Sequence, residues 1–131
     1  MIYDTKEKIL EYAKWFQNNR AGSYICLAHL PSCGVSLQGI DFIKKSADLC
    51  NYLIVNISTT LDNVPEIWQA IKDVDDVIIW PWQEDLAELI QGLHPNIMTR
   101  SQYSVLTKSE KEALLGCKAE FIQIRGNGDI R

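Results

Sequence analysis

Short, wholly apolar runs alternate with amphipathic ones along this chain, and few folds accept that alternation. The clearest run is Tyr52–Ile57, Tyr-Leu-Ile-Val-Asn-Ile. A run of that kind fits a strand buried on both faces, as in a parallel sheet. Tyr24–Ala28, Asp76–Trp80, Asn96–Thr99 and Glu120–Ile124 read as further strands. The segments between them carry apolar residues at helical spacing. Ile9, Leu10, Tyr12, Trp15 and Phe16 stripe a helix over Lys6–Asn19, capped by Asp4 or Thr5. Ile40–Cys50, Pro65–Lys72, Gln83–Leu93 and a segment capped by Thr107 or Ser109 and ending at Gly116 read as helices, with Pro65 suited to a first turn. Strand and helix in strict alternation predict an α/β fold: three layers, a five-stranded parallel sheet and right-handed crossovers. The length, 131 residues, suits a single domain over 1–131, and no repeat, low-complexity stretch or linker divides it.

Composition excludes several function classes. The formal net charge is −4, and no basic run exceeds Lys44-Lys45, which argues against a duplex nucleic-acid partner. No apolar run approaches the ~20 residues that span a bilayer, so no membrane partner is expected. The first residues carry acids and lack an apolar core, unlike a signal peptide. Cys26, Cys33, Cys50 and Cys117 form no Cys-x-x-Cys pair and the two histidines are far apart, so no metal site is expected. Scattered thiols of this kind fit a cytoplasmic protein, with Cys26 and Cys50 read as small core residues.

In an open parallel sheet, ligands bind beyond the carboxyl ends of the strands, where the strand order reverses. Three stretches are expected there: the turn Leu30–Gly39, the loop Ser58–Asn63, and Arg100–Tyr103. Backbone amides around Pro31, Ser32, Cys33 and Gly34, with Gly39 beyond, suit an anion. Ser58 and Thr59 either contact the same ligand or cap the next helix. Arg100 is the best-placed cation for a phosphate, and Tyr103 is placed to stack on a base. His29, ending the first apolar run, reads either as a phosphate donor or as a hydrogen-bonded strand-end residue. Cys33 as a nucleophile needs a base and a lowered pKa, and only His29 is near it in sequence. Lys44 and Lys45 fall on the polar face of their helix, and His94 falls in a loop. Trp80-Pro81-Trp82 either walls a ligand pocket or meets a partner chain in a homo-oligomer. Trp15 and Trp68 read as core.

The turn and the helix after it resemble the nucleotidylyltransferase superfamily, in its cytidylyltransferase-like and pantothenate synthetase-like forms. That family carries His-x-Gly-His after its first strand, preceded in one form by Pro-Thr-Met-Gly. Here the stretch is Pro31-Ser32-Cys33-Gly34-Val35-Ser36-Leu37-Gln38-Gly39-Ile40, and Pro31, Gly34 and Gly39 fall on the family's Pro, Gly and middle Gly. Val74-Asp75-Asp76-Val77-Ile78 resembles the family's Val-Asp-Glu-Val-Ile strand. Leu93-His94-Pro95-Asn96-Ile97 resembles its Pro-Asp-Val strand. The likeness spans nearly the whole chain and implies a Rossmann-like sheet, a nucleotide or phosphate-bearing small molecule as partner and, in active members, a nucleoside triphosphate with Mg²⁺.

The motif histidines fall on Leu37 and Ile40, or on Ser36 and Gly39 in the alternative spacing, so neither is retained. Those imidazoles serve the charge that builds on a transferring phosphate, which Leu, Ile, Ser or Gly cannot do. The family's late Ile-Ser-Thr-Thr signature is also missing. The expectation is therefore a degenerate member that binds a nucleotide or phosphate metabolite without transferring it. Two alternatives stand beside it. One is an active cytidylyl- or adenylyltransferase rebuilt around His29, Arg100 and the Ser32–Gly34 amides. The other is a structural or oligomeric interaction module.

Overall fold

The computed structural model of the protein describes residues 1–30, 36–58, 63–80, 85–101 and 105–124. In chain order the elements are β1 (Ile2–Tyr3), α1 (Lys6–Asn18), β2 (Ile25–His29), α2 (Leu37–Ala47), β3 (Tyr52–Ile57), α3 (Val64–Gln69), β4 (Asp76–Ile79), α4 (Ala87–Leu93), β5 (Ile97–Ser101), α5 (Lys108–Cys117) and β6 (Glu120–Ile124). The strands form one sheet in the order β1-β4-β3-β2-β5-β6, parallel at every pairing. Successive strand side chains point to opposite faces and divide the core into two layers. Ile25, Leu27, Ile54, Ile78 and Met98 pack under α1, α4 and α5. Cys26, Ala28, Leu53, Val55, Val77 and Ile97 pack under α2 and α3. Among the described residues, no helix is long and apolar enough to cross a membrane.

The sheet has six strands, not the expected five. The additional strand, β1, is two residues long, too short for any periodicity to reveal. Tertiary contacts recruit it. Ile2 and Tyr3 pair with Val77 and Ile78, the Val77 N–H donates to the Met1 carbonyl at 2.9 Å, and the Tyr3 ring stacks on Tyr12 at 4.2 Å. Beside that stack lies the buried Asp76 carboxylate. The Tyr12 hydroxyl donates to it at 2.6 Å, Tyr52 donates to the same oxygen, and the Met1 ammonium lies 3.1 Å from the other. Burial first, and the bond to Asp76 second, hold both phenols well above the usual tyrosine range. This network fastens the amino-terminal edge of the sheet.

The helix starts follow local chemistry. Thr5 caps α1, its hydroxyl accepting from the Lys8 N–H at 3.2 Å. The buried stripe of α1 is Ile9, Tyr12, Ala13 and Phe16, so Trp15 falls on the flank and is 57% exposed, not core as expected. Helix α2 starts at Leu37, ahead of the expected Ile40, because Ser36 caps it and accepts from the Gly39 N–H at 3.0 Å.

Gly39 is there for packing. A Cβ at this position would lie 2.9 Å from Cη2 and 3.2 Å from Cζ2 of Trp68. Trp68 is itself buried, 1% exposed, so its rigid ring has little room to retreat. Gly116, in α5, meets nothing within 4 Å. The two glycines should therefore answer substitution with opposite signs. Gly39→Ala is expected to lose about 1–3 kcal/mol of unfolding free energy through overpacking. Gly116→Ala is expected to gain about 0.5–1 kcal/mol from helix propensity. Urea unfolding of both variants checks this, and a stabilising Gly39→Ala would show that Trp68 does not fix the α2 start.

Candidate functional site

The chain passes from β2 to β3 and β4 on one side, then crosses back to place β5 on the other side of β2. The strand order therefore reverses between β2 and β5, and their carboxyl ends carry His29 and Arg100–Ser101. Side-chain alternation sends His29, Asn56 and Arg100 to the face covered by α4 and α5.

On that face the edge is closed by a carboxylate. Glu110, in the first turn of α5, is 3% exposed. One of its oxygens accepts from the Thr107 N–H at 2.9 Å and completes a capping box with the Thr107 hydroxyl. The other accepts from the Leu86 N–H, at the start of α4, at 2.7 Å and pairs with the Arg100 guanidinium at 2.9 Å. Arg100 also donates to the Val105 carbonyl at 3.1 Å. Asp85 adds a parallel tie: its carbonyl accepts from the Trp80 indole at 3.0 Å and its carboxylate from the Thr107 hydroxyl at 3.2 Å. Arg100, expected to be a ligand's phosphate cation, is thus 4% exposed and turned to Glu110. Burial lowers its pKa and Glu110 works against that.

His29 sits beside this pair. Its Nδ1 lies 2.6 Å from Asn56 Oδ1. The Asn56 amide nitrogen donates to the Ile78 carbonyl at 3.4 Å, which fixes the amide so that its oxygen faces the histidine. Nδ1 therefore carries the proton, and Nε2 carries the lone pair. Burial, and then the charge of Arg100, push the imidazole down to about 4. At neutral pH His29 is an uncharged acceptor, not a cationic donor.

The other face of the reversal point is built differently. The amino terminus of α2 follows β2 there, with Ser36, Leu37 and Gln38 exposed and Gly39 buried. Its first turn holds no acidic side chain, whereas the first turns of α1, α3, α4 and α5 hold Glu7, Glu66, Glu88 and Glu110. Leu37, one position where the resemblance expects a histidine, is 84% exposed.

The structure thus brings His29 and Arg100 together, and puts Gly39 in the first turn of the helix that follows β2. The Gly39 N–H is already taken by Ser36. Ser58 is half-buried just past β3. Pro31, Ser32, Cys33, Gly34, Thr59 and Tyr103 lie outside the described residues, as do Pro81 and Trp82. Trp80, offered to a partner in one expectation, is 2% exposed and belongs to the core. His94 is an exposed helix cap with a left-handed backbone. Asn56 and Glu110 escaped the sequence reading. The signal for Asn56 was an amide inside an apolar strand, which requires a partner. The signal for Glu110 was its place three residues after a capping threonine.

Two outcomes follow. Arg100→Met leaves the Glu110 charge buried without its cation, and should cost about 3 kcal/mol in chemical unfolding. Adding Glu110→Gln should recover part of that loss, and an unchanged midpoint in Arg100→Met would mean the clamp holds nothing. His29, with a folded pKa of about 4 against about 6.5 unfolded, favours the folded state only while neutral. Its stabilisation is present above pH ~6.5 and is lost as the pH falls toward 4. Between pH 7 and pH 4.5 the native protein should lose about 2 kcal/mol more than His29→Gln. Equal losses would place the imidazole in water.

The chain matches no protein-family model and no curated protein. A solved structure, the lipopolysaccharide core biosynthesis protein from Thermoplasma volcanium GSS1, superimposes with a TM-score of 0.64, covering 81% of this chain and 98% of that one, at 16% identity. At that identity the likeness speaks for the fold, a three-layer Rossmann-like α/β architecture.

Proposed function

We propose that this protein is a nucleotidylyltransferase-like binding domain that holds a nucleotide or phosphate metabolite at the start of α2 without transferring its phosphate. The observation that carries the reading is the amino terminus of α2. It begins where the strand order reverses, has no acidic residue in its first turn, and leaves Ser36–Gln38 open to solvent. A helix start of that kind favours an anion through its N–H groups and its dipole. The fold neighbour is a lipopolysaccharide core biosynthesis protein, which fits a small-molecule ligand.

Charge counts against transfer. Transfer needs donors aimed at the phosphate as negative charge develops. Here His29 is neutral with its one N–H given to Asn56, and the Arg100 guanidinium is paired with Glu110. The turn Pro31–Gly34 is proposed to complete the anion site through its amides, with Ser58, Thr59 and Tyr103 at its margin.

Calorimetric titration with CTP, ATP, CMP and pyrophosphate tests this. Binding of at least one is expected, with no pyrophosphate released from the triphosphates. Gln38→Glu puts a negative charge in the first turn and should weaken binding about fivefold, the equivalent of ~1 kcal/mol. Pyrophosphate release abolished by His29→Gln would establish the active reading instead. No heat with any of the four would leave the interaction module.

A further inference from the structure

A polar row crosses three strands at the carboxyl edge of the sheet. His29, Asn56 and Ile78 are register partners on β2, β3 and β4. Asn56 is 1% exposed inside an otherwise apolar run, and both ends of its amide serve this row. The nitrogen donates to the Ile78 carbonyl, and the oxygen accepts from Nδ1 of His29. The Leu30 N–H donates to the Asn56 carbonyl at 2.9 Å and pins the backbone just past the histidine. A buried amide needs partners on both sides, and here they hold the imidazole in one tautomer.

Nε2 is the group left over. Among the described residues none bonds to it, and His29 is half-buried, not sealed in the core as Asn56 is. The residue ends β2 where the strand order reverses, and the chain runs on from it to the start of α2. A fixed lone pair accepts a hydrogen bond and gives none. It repels a phosphate oxygen or a carbonyl and favours a neutral N–H or O–H group.

We propose that Nε2 of His29 is the specificity-determining acceptor of the ligand site, so that the ligand is a nucleoside phosphate presenting an N–H or O–H donor to it. This rests on the anion site proposed at the start of α2. The phosphate lies there, and the rest of the molecule crosses the carboxyl edge of the sheet to the face that carries His29. Because the two groups lie on opposite faces of the sheet, the donor must stand well away from the phosphate, as it does on a nucleoside. The donor is an exocyclic amine of the base or a hydroxyl of the sugar. A ligand with a carbonyl in that place loses the bond and sets one acceptor against another, which is how a site with a fixed polar group discriminates.

Calorimetric titration of the whole chain compares nucleotides that differ in one donor. CTP against UTP, and ATP against ITP, exchange an amine for a carbonyl. CTP against its 2′-deoxy and 3′-deoxy forms removes a sugar hydroxyl. In one of these pairs the donor-bearing nucleotide is expected to bind about tenfold more tightly, and the pair that shows it identifies the donor. In His29→Phe that ratio should fall to about one, and in His29→Gln, whose amide oxygen accepts, part of it should return. His29→Phe also leaves the Asn56 oxygen without its donor, so the native protein supplies a second readout. Its imidazole nitrogen resonances should show Nε2 unprotonated in the free protein and shifted by the preferred nucleotide, with pyrophosphate leaving it in place. Pyrophosphate binding with no preference in any pair, or a preference that His29→Phe leaves intact, would overturn the acceptor role while the anion site stands. A free protein with the proton on Nε2 would overturn it too. No binding by any nucleotide or by pyrophosphate would remove the anion site, and the acceptor role with it.

Discussion

A single buried carboxylate, that of Glu110, holds the carboxyl-terminal edge of the sheet together. It accepts from the start of α4, from the start of its own helix and from Arg100 on β5. Without such an acceptor, the Leu86 and Thr107 N–H groups and the Arg100 guanidinium would each lose the oxygen they bond to. A buried ion pair contributes little net stability against an apolar substitute, yet breaking one is costly. Here its consequence is positional. It fixes where α4 and α5 begin, and so the wall against which His29 lies.

The clamp also divides the point of strand reversal into two halves of different character. Under α4 and α5 the polar groups answer one another: Arg100 with Glu110, His29 with Asn56, Asn56 with Ile78. The first turn of α2 holds no acidic residue, and the capping serine, an exposed leucine and a glutamine face solvent. Anion binding and phosphoryl transfer make different demands on such a site. Binding uses the partial charge of helix N–H groups, which α2 has. Transfer also needs donors kept available for the transition state, and Arg100 and His29 already bond to Glu110 and Asn56. The amino-terminal edge, by contrast, is sealed by Asp76, its two tyrosines and the Tyr3–Tyr12 stack.

Much of the fold was legible because each strand of the interior is a continuous apolar run and each helix has its stripe. Tyr52–Ile57 matched to the residue. What escaped depends on contacts that no local pattern encodes. Strand β1 exists because β4 offers an unpaired edge and Tyr12 a ring to stack on. Trp15 satisfies the helical stripe yet falls outside the half-turn that meets the sheet. Arg100 stands at the expected strand end, but its partner lies ten residues on in sequence, on the next helix. Gly39 was expected to serve a ligand, and the ring of Trp68 is what excludes a side chain there. A glycine or an arginine in the right place names a position, and only the neighbours decide its use.

The most direct test of this account is amide and guanidinium chemical-shift mapping of the native protein during titration with CTP and with pyrophosphate. The largest shifts are expected at the amides of Ser36 to Gly39, with the Arg100 side-chain resonance unmoved and still paired with Glu110. Large shifts at Arg100, or shifts confined to the Asp76 edge with the start of α2 silent, would contradict it.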